Sequence, residues 1–416
     1  MPDDNPLVSI VIPVFNQWPL TAQCLKSLRQ HTPGKSFEVV VVDNGSTDET
    51  ASQCDALGKG LFPDRFQYFP QHHNLGFGPA CNLGADHAKG EYLFFLNNDT
   101  LLTPNWLPPL LQGFRNDPRL GIVGPLLLYP GSERVQHLGV AFLPGFQAEH
   151  LYENFPANHA LVHRLRKMQA LTGAAMMLPR DLFSQCGCFF SDYLNGCEDL
   201  DLCTQVRKNN RDLSCIAESK IYHLTSQTEG RFARDTDNSR ILYQRCSAWI
   251  VPDIHHLAAK DGYELRLTPW LVPYVALPEK RRVQLTAELA PKHDPEYWWN
   301  AVQQEPLWME GYELLGSALE KAAAWEEACM VRFLHVHFEP SINGMQRLLS
   351  VARKANAIPM MSQVAEKLQT IHERLENPDS LQSRAKRIIN ESKNTGDEQL
   401  EALYRRWLLT QKSVAQ

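Results

Sequence analysis

Apolar residues in the first half of the chain come in short unbroken runs, not in alternation with polar ones. "LVSIVIPVF" (7–15), "FEVVVV" (37–42), "FQYFP" (66–70) and "EYLFFL" (91–96) each stop abruptly in polar residues. Continuous runs of this length suit strands buried on both faces of a parallel sheet. Between them lie helix-like stretches. "QWPLTAQCLKSLRQHT" puts Leu20, Cys24, Leu25 and Leu28 on one face, a second helix is predicted near 48–57, and "PACNLGADHAKG" reads as a third. Strand–helix alternation implies right-handed crossovers, hence an α/β fold with a mostly parallel sheet and helices on both faces. After about residue 225 the pattern breaks: "TSQTEGRF" reads as a mobile loop and "RLTPWLVPYVALPEK" as a packed connector. From about residue 300 the text turns rich in Ala, Glu, Leu and Lys at helical spacing, so the chain is divided into residues 1–255, a connector 256–299 and an all-α domain 300–416.

Composition narrows the function without choosing it. The 416 residues are 44% hydrophobic and 21% charged, the proportions of an ordinary globular protein. A net charge of −6 argues against a general nucleic-acid binder. The ten cysteines show no paired metal spacing and read as reduced core residues. The amino terminus has two early acids and no basic segment before its apolar run, and no run reaches membrane-spanning length. A cytoplasmic location is expected, with contact at the face of the inner membrane left open. No Gly-x-Gly-x-x-Gly run follows the first strand and no full Gly-x-x-x-x-Gly-Lys-Ser/Thr occurs, which disfavours a dinucleotide site and a P-loop.

The chemistry sits where the apolar runs end. "VVVVDNGSTDET" places Asp43 directly after a buried strand, where an acid can accept hydrogen bonds from a base or ribose. "EYLFFLNNDTLL" pushes Asn97, Asn98 and Asp99 out of another strand end. A turn explains such residues, and so does a metal–nucleotide site at the carboxyl edge of a sheet. Two such ends in one sheet converge on one edge. "NGCEDLDLCTQV" puts Glu198 and Asp199 at a helix start; their closeness raises one carboxyl by like-charge repulsion, while Asp201 reads as structural. Trp106 is either core or a platform for a substrate.

Five blocks in order, "VSIVIPVFNQ", "VVVVDNGSTDET", "NLGFGPACNLGADHAKGEYLFFLNNDTLL", "LTGAAMMLPRDLF" and "CEDLDLCTQVRKNN", resemble the successive motifs of family-2 glycosyltransferases, closest to the rhamnosyl- and galactofuranosyltransferase-like branches. The resemblance implies a GT-A fold and inverting transfer from a UDP-, dTDP- or GDP-sugar to a hydroxyl of a glycan, a lipid-linked acceptor or a protein. Carried over by position, Pro13 and Asn16 line the nucleotide pocket and Asp43 meets the base. Asn74, Gly76 and Asn82 shape the loop and helix beside the diphosphate. Asn97, Asn98 and Asp99 fill the family's Asp-x-Asp motif, leaving Asp99 the sole strong metal ligand there and Asn97 for sugar hydroxyls or metal-bound water. His223 ligates the same divalent cation, Mn²⁺ or Mg²⁺. Asp199 is the base, Glu198 orients the acceptor, and Arg231, with Arg234, stabilises the leaving diphosphate. Gly173 stands where the acceptor approaches.

"EGYELLGSALEKAAAWEEACMVRFLHVHFEP" further resembles a tetratricopeptide repeat, with Tyr312, Leu315, Gly316, Leu319, Ala328 and Pro340 at its spacing and Arg332 where Phe belongs. A generic helical hairpin stays open, as do acceptor selection and homodimer formation by this domain. The basic-aromatic "YRRWLLTQKS" reads as a capping helix ahead of a membrane contact. Asn97 in place of an acid is the one feature favouring a non-catalytic scaffold. A sugar nucleotidyltransferase is disfavoured because its basic Gly-rich amino-terminal loop is missing.

Overall fold

The computed structural model describes residues 6–34, 36–224 and 235–414. "TSQTEGRF", Arg231 and Arg234 lie outside the described residues. Two compact units are present: Met1–Phe142 with Phe146–Val251, and Leu143–Gly145 with Pro252–Gln416.

The first unit is built on strands β1 (Val8–Val14), β2 (Phe37–Asp43), β3 (Phe66–Pro70), β4 (Tyr92–Leu96), β5 (Thr100–Leu102), β6 (Leu120–Leu128), β7 (Val135–His137), β8 (Val140–Leu143), β9 (Gln147–His150), β10 (Ala175–Pro179) and β11 (Asp212–His223). The main sheet runs β3-β2-β1-β4-β10-β6-β11-β5, with β7 on β6, while β8 and β9 form a separate ribbon. The amino-terminal half is parallel, as the strand–helix alternation predicts. β10 then enters antiparallel between β4 and β6, and β5 pairs antiparallel with β11, so the complete sheet is mixed.

Burial explains the unbroken apolar runs. Val8, Ile10, Ile12 and Val14 of β1 pack with Cys24, Leu25 and Leu28 of helix α1 (Trp18–His31), the face read from the sequence. Val11 points the other way, into helix α3 (Phe77–His87), where Gly84 admits it: a Cβ on Gly84 would stand 2.4 Å from Val11 Cγ1 and 3.2 Å from Val42 Cγ2. Both faces of the central strands are thus covered. Helix α2 (Thr50–Leu61) occupies the stretch predicted near 48–57 and seats Gly58 against the Phe66 ring. Trp106 is fully buried, its ring on Phe94 and its Nε1 donating to Thr32 Oγ1 at 2.9 Å, so it is core and not a platform.

In the second unit the helical spacing is realised as pairs joined by tight turns: Met309–Lys321 with Trp325–Phe338, Ile342–Lys354 with Ile358–Leu375, and Pro378–Thr395 with Glu398–Val414. Arg332 is buried where the repeat pattern expects Phe. Its guanidinium lies against Gly316, is 2.7 Å from Glu320 Oε1 and also pairs with Glu313. Glycine makes room for it, and two carboxylates neutralise a charge that burial alone would make costly. Trp407 of the carboxyl-terminal helix is buried and donates to Thr268 O at 2.9 Å, so the basic-aromatic segment packs within this unit. None of the described helices is long and apolar enough to cross a membrane.

Candidate active site

Three parallel strands, β1, β2 and β4, end on one edge of the first unit, and the residues just past them line an open-mouthed cleft. It is lined by Pro13, Phe15, Asn44, Asn74, Phe77, Asn97, Asn98, Asp99, Thr172, Gly173, Asn195, Cys197, Glu198, Asp199 and His223, among others. Parallel pairing is what brings the strand ends together: Val14 stands opposite Asp43, and the Asn44 N–H donates to Val14 O at 2.7 Å.

Asp99 and His223 meet because β5 and β11 pair with Thr100 opposite His223, while Leu224 N–H donates to Asp99 O at 2.8 Å. His223 Nε2 comes to 3.2 Å from Asp99 Oδ1. Neither of these buried atoms has a hydrogen-bond partner, the approach being off the line such a bond requires. Gln136 holds the other side of the ring, its Oε1 2.7 Å from Nδ1 and its Nε2 donating to His223 O at 3.0 Å. An amide oxygen only accepts, so Nδ1 carries the proton facing it. In the neutral ring, Nε2 then turns a lone pair toward a carboxylate lone pair. Two acceptors in contact are stable only with a positive charge between them, and an imidazole plus a carboxylate is a donor set that Mn²⁺ accepts. The pair fits a divalent cation, and Gln136 fits the orienting partner that metal-bound histidines use.

The second centre is the start of helix α4 (Glu198–Lys208). Asp199 Oδ2 accepts the Gly173 N–H at 2.7 Å and Oδ1 accepts the Leu200 N–H at 2.9 Å. Gly173 permits this approach, since a Cβ there would stand 3.3 Å from Asp199 Cβ and from the Phe77 ring. Glu198 turns back under the preceding loop toward Gly78, is 3% exposed, and leaves Oε1 without a partner. Burial pushes its carboxyl up to about 7, the charge of Asp199 adds to this, and N–H groups of Glu198, Gly196 and Asn195 oppose it. The loop itself is strained: Asn195 and Cys197 take φ of 55° and 74°, and a left-handed cysteine directly before two acids costs about 1–3 kcal/mol. Three carboxylates and one imidazole line the cleft, with no Lys or Arg among the described lining residues.

Pro13, Asn74, Asn97, Asn98, Asp99, Glu198, Asp199 and His223 therefore share one cleft. The other expected residues stand behind its wall. Asn16 accepts the Thr47 N–H through Oδ1 at 2.8 Å, and its own N–H donates to Ser46 Oγ at 2.7 Å, tying the loop after β1 to the loop after β2. Gly76, with φ of 92°, accepts from Asn44 Nδ2 at 3.1 Å and makes the turn into α3. Asn82 pins α3 to Phe189 by two hydrogen bonds, 2.8 and 3.0 Å, well away from the opening. Asp43 is 2% exposed; Oδ1 accepts the Ser46 N–H at 2.9 Å and Oδ2 accepts the Tyr68 hydroxyl. Asp201 is buried against Arg245 and Gln205, as its structural reading requires. Gln136, Phe15, Asn44, Phe77 and Thr172 were not legible as site residues. Gln136 in particular comes from an edge strand without any motif, and only the fold shows what it holds.

Residues 9–187 match the family model described as Glycosyl transferase family 2. That segment of the first unit is similar to a family-2 glycosyltransferase domain. The match ends before Glu198, Asp199 and His223, so their placement rests on the geometry above. The chain is 27% identical over 254 residues to the O-antigen biosynthesis protein RfbC of Myxococcus xanthus, an alignment that covers 60% of this chain and 20% of that protein. It is 35% identical over 108 residues to the GalNAc(5)-diNAcBac-PP-undecaprenol beta-1,3-glucosyltransferase of Campylobacter jejuni, covering 26% of this chain and 34% of that one. The chain thus spans between a fifth and about a third of the length of these two curated relatives. Among solved structures, GalNAc-T7 with UDP, GalNAc and Mn²⁺ aligns with a TM-score of 0.49 at 17% identity, over 58% of this chain and 48% of that one.

Proposed function

We propose that this chain is an inverting glycosyltransferase that moves a sugar from a nucleotide-diphospho-sugar to an acceptor hydroxyl. The observation that carries the reading is one cleft holding both halves of the chemistry: the unpartnered Asp99–His223 pair on one wall and Asp199 on the other. A divalent cation held by Asp99 and His223, Mn²⁺ or Mg²⁺, supplies the positive charge that the departing diphosphate needs. Asn97 and Asn98 face the same wall and offer amide groups to sugar hydroxyls. Pro13 and Phe15 form the apolar side against which a base packs, and Asp43 meets its edge from behind. Asn16, Asn74, Gly76 and Asn82 hold the loops that shape this side.

On the acceptor side, Asp199 takes the proton from the attacking hydroxyl. Its oxygens are already oriented by the Gly173 and Leu200 N–H groups, so little reorganisation accompanies the transfer. Glu198, neutral when it holds its proton, keeps a second negative charge away from the base and anchors the strained loop. Catalytic residues within 1–255 leave the helices of 300–416 to present the acceptor. Relatives named for O-antigen biosynthesis and for glucosylation of an undecaprenol-linked glycan favour an acceptor in envelope polysaccharide assembly, at the cytoplasmic face of a membrane.

The test is a screen of UDP-, dTDP- and GDP-sugars for donor hydrolysis and transfer, with and without Mn²⁺, repeated with Asp199→Asn and Asp99→Ala. Cation-dependent turnover lost in both variants is expected. Nucleotide binding without turnover in any acceptor extract, unchanged by Asp199→Asn, would return the scaffold reading.

A further inference from the structure

The helical unit holds a second group of metal-type donors that glycosyl transfer does not use. His255 and His256 open the short helix Ile254–Lys260, and Asp397 stands in the turn between Pro378–Thr395 and Glu398–Val414. Some 140 residues of chain separate them, yet one ligand atom from each lies within 4.8 Å of the others. His255 Nε2 is 2.8 Å from Asp397 Oδ2 and His256 Nε2 is 3.9 Å from the same oxygen. His255 is 4% exposed, and neither of its ring nitrogens has a hydrogen-bond partner, although the carboxylate is so near. A buried imidazole with no satisfied nitrogen is costly unless something else engages it. The carboxylate is itself held in place, because Asp397 Oδ1 accepts the Leu400 N–H at 3.0 Å. His256 is half exposed and gives the cluster a route to solvent.

We propose that His255, His256 and Asp397 form a Zn²⁺-class metal site that staples the start of the helical unit to its last helix pair. Two imidazoles and one carboxylate form a borderline donor set that suits Zn²⁺ and Co²⁺, whereas Mg²⁺ and Ca²⁺ seek oxygens. With metal–ligand bonds of about 2.0–2.1 Å, donors of a tetrahedral ion stand about 3.3 Å apart, a spacing the present distances bracket. Three protein ligands leave a fourth position for water. Asp397 fixed through Oδ1 presents Oδ2 to the ion, in the way second contacts orient metal carboxylates. An ion here closes a long loop and tightens the unit that the chain ends would otherwise loosen.

The experiment uses the full chain in an Asp99→Ala/His223→Ala background, which removes the cleft pair, with Zn²⁺ and Co²⁺ as probes. One Co²⁺ per chain with the intense visible bands of tetrahedral coordination is expected, displaced by Zn²⁺. His256→Ala, a half-exposed position that leaves packing intact, should weaken Zn²⁺ binding at least tenfold, and Asp397→Asn should do the same while keeping the cap to Leu400. Zn²⁺ should raise the melting temperature of the background chain and leave that of the His256→Ala chain unmoved. No stoichiometric binding, weak octahedral Co²⁺ bands, or binding indifferent to both substitutions would overturn the site and leave His255–Asp397 a plain ion pair. Because donor turnover is not read, failure here leaves the transferase reading untouched.

Discussion

Glu198→Gln isolates one buried charge and predicts its effect across pH. The carboxyl is pushed up to about 7 from an ordinary 4.5, first by burial and then by Asp199 beside it. Between those two values the folded chain keeps a proton that the unfolded chain has lost. Stability therefore falls as pH rises from about 4.5 to about 7, is unaffected below that window, and carries the full loss above it. At 1.36 kcal/mol per unit the loss amounts to about 3 kcal/mol for the first unit. Glutamine never ionises and keeps the shape, so the variant escapes the loss. Its melting temperature should match the parent near pH 4.5, apart from a constant offset, and exceed it by roughly 6–12 °C near pH 8, at ~2–4 °C per kcal/mol. Differential scanning calorimetry of full chains, without divalent cations and with the transitions of the two units fitted separately, reads this. A constant difference at every pH would refute the reasoning, as would a parent that gains on the variant as pH rises.

Three further outcomes are expected. Asp199→Asn can still accept the Gly173 N–H through its amide oxygen, so donor affinity should survive while kcat falls ~10²–10⁴-fold in a transfer assay. Gln136→Leu leaves His223 Nδ1 without its partner, and Mn²⁺ affinity measured by calorimetry should drop ~10–100-fold with the fold unchanged by circular dichroism. Gly84→Ala drives a methyl into Val11 and Val42 and should lower urea stability by about 1–3 kcal/mol without altering the cleft chemistry.

Unbroken valine and isoleucine runs revealed the parallel half of the sheet because a strand buried on both faces has no polar side to show. The insertion of β10 antiparallel between β4 and β6 left no such trace: "AAMMLP" is as apolar as its neighbours, and strand direction is set by the chain path between strands, not by composition. Asp99, Glu198 and Asp199 stood out because acids at strand or helix ends contradict the apolar text around them, whereas His223 was marked only by the family resemblance. Gln136 was not, since an amide in an edge strand is ordinary and only its distance to His223 marks it. The metal-type cluster of the helical unit was hidden for another reason. Two adjacent histidines and an aspartate some 140 residues away meet only through the packing of helices between them.

Asp43 poses the sharpest remaining question about the donor, because the structure hides it behind the cleft wall. A carboxylate has about four lone-pair sites, and Ser46 N–H and the Tyr68 hydroxyl use two. Tyr68 stays protonated here, burial and the Asp43 charge both holding its hydroxyl well above the usual range. Two lone pairs are left, and they can only accept. A base that meets them must present an N–H: at the ring, uracil and thymine offer N3–H and guanine offers N1–H, whereas N3 of cytosine is itself an acceptor and only its exocyclic N4–H₂ can donate. If the ring edge is what faces Asp43, nucleotide affinity follows UDP, dTDP or GDP over CDP. Asp43→Asn, which turns one oxygen into a donor, should narrow that preference by about tenfold, the value of one charge-assisted hydrogen bond. Tyr68→Phe frees a lone pair on Asp43 and removes no acceptor, so it should leave the preference standing while loosening the β2–β3 edge. Isothermal calorimetry of the four diphosphates against the parent and both variants separates the cases. Equal losses for all four bases in both variants would mean that Asp43 only braces the turn at 43–47 and does not choose the base.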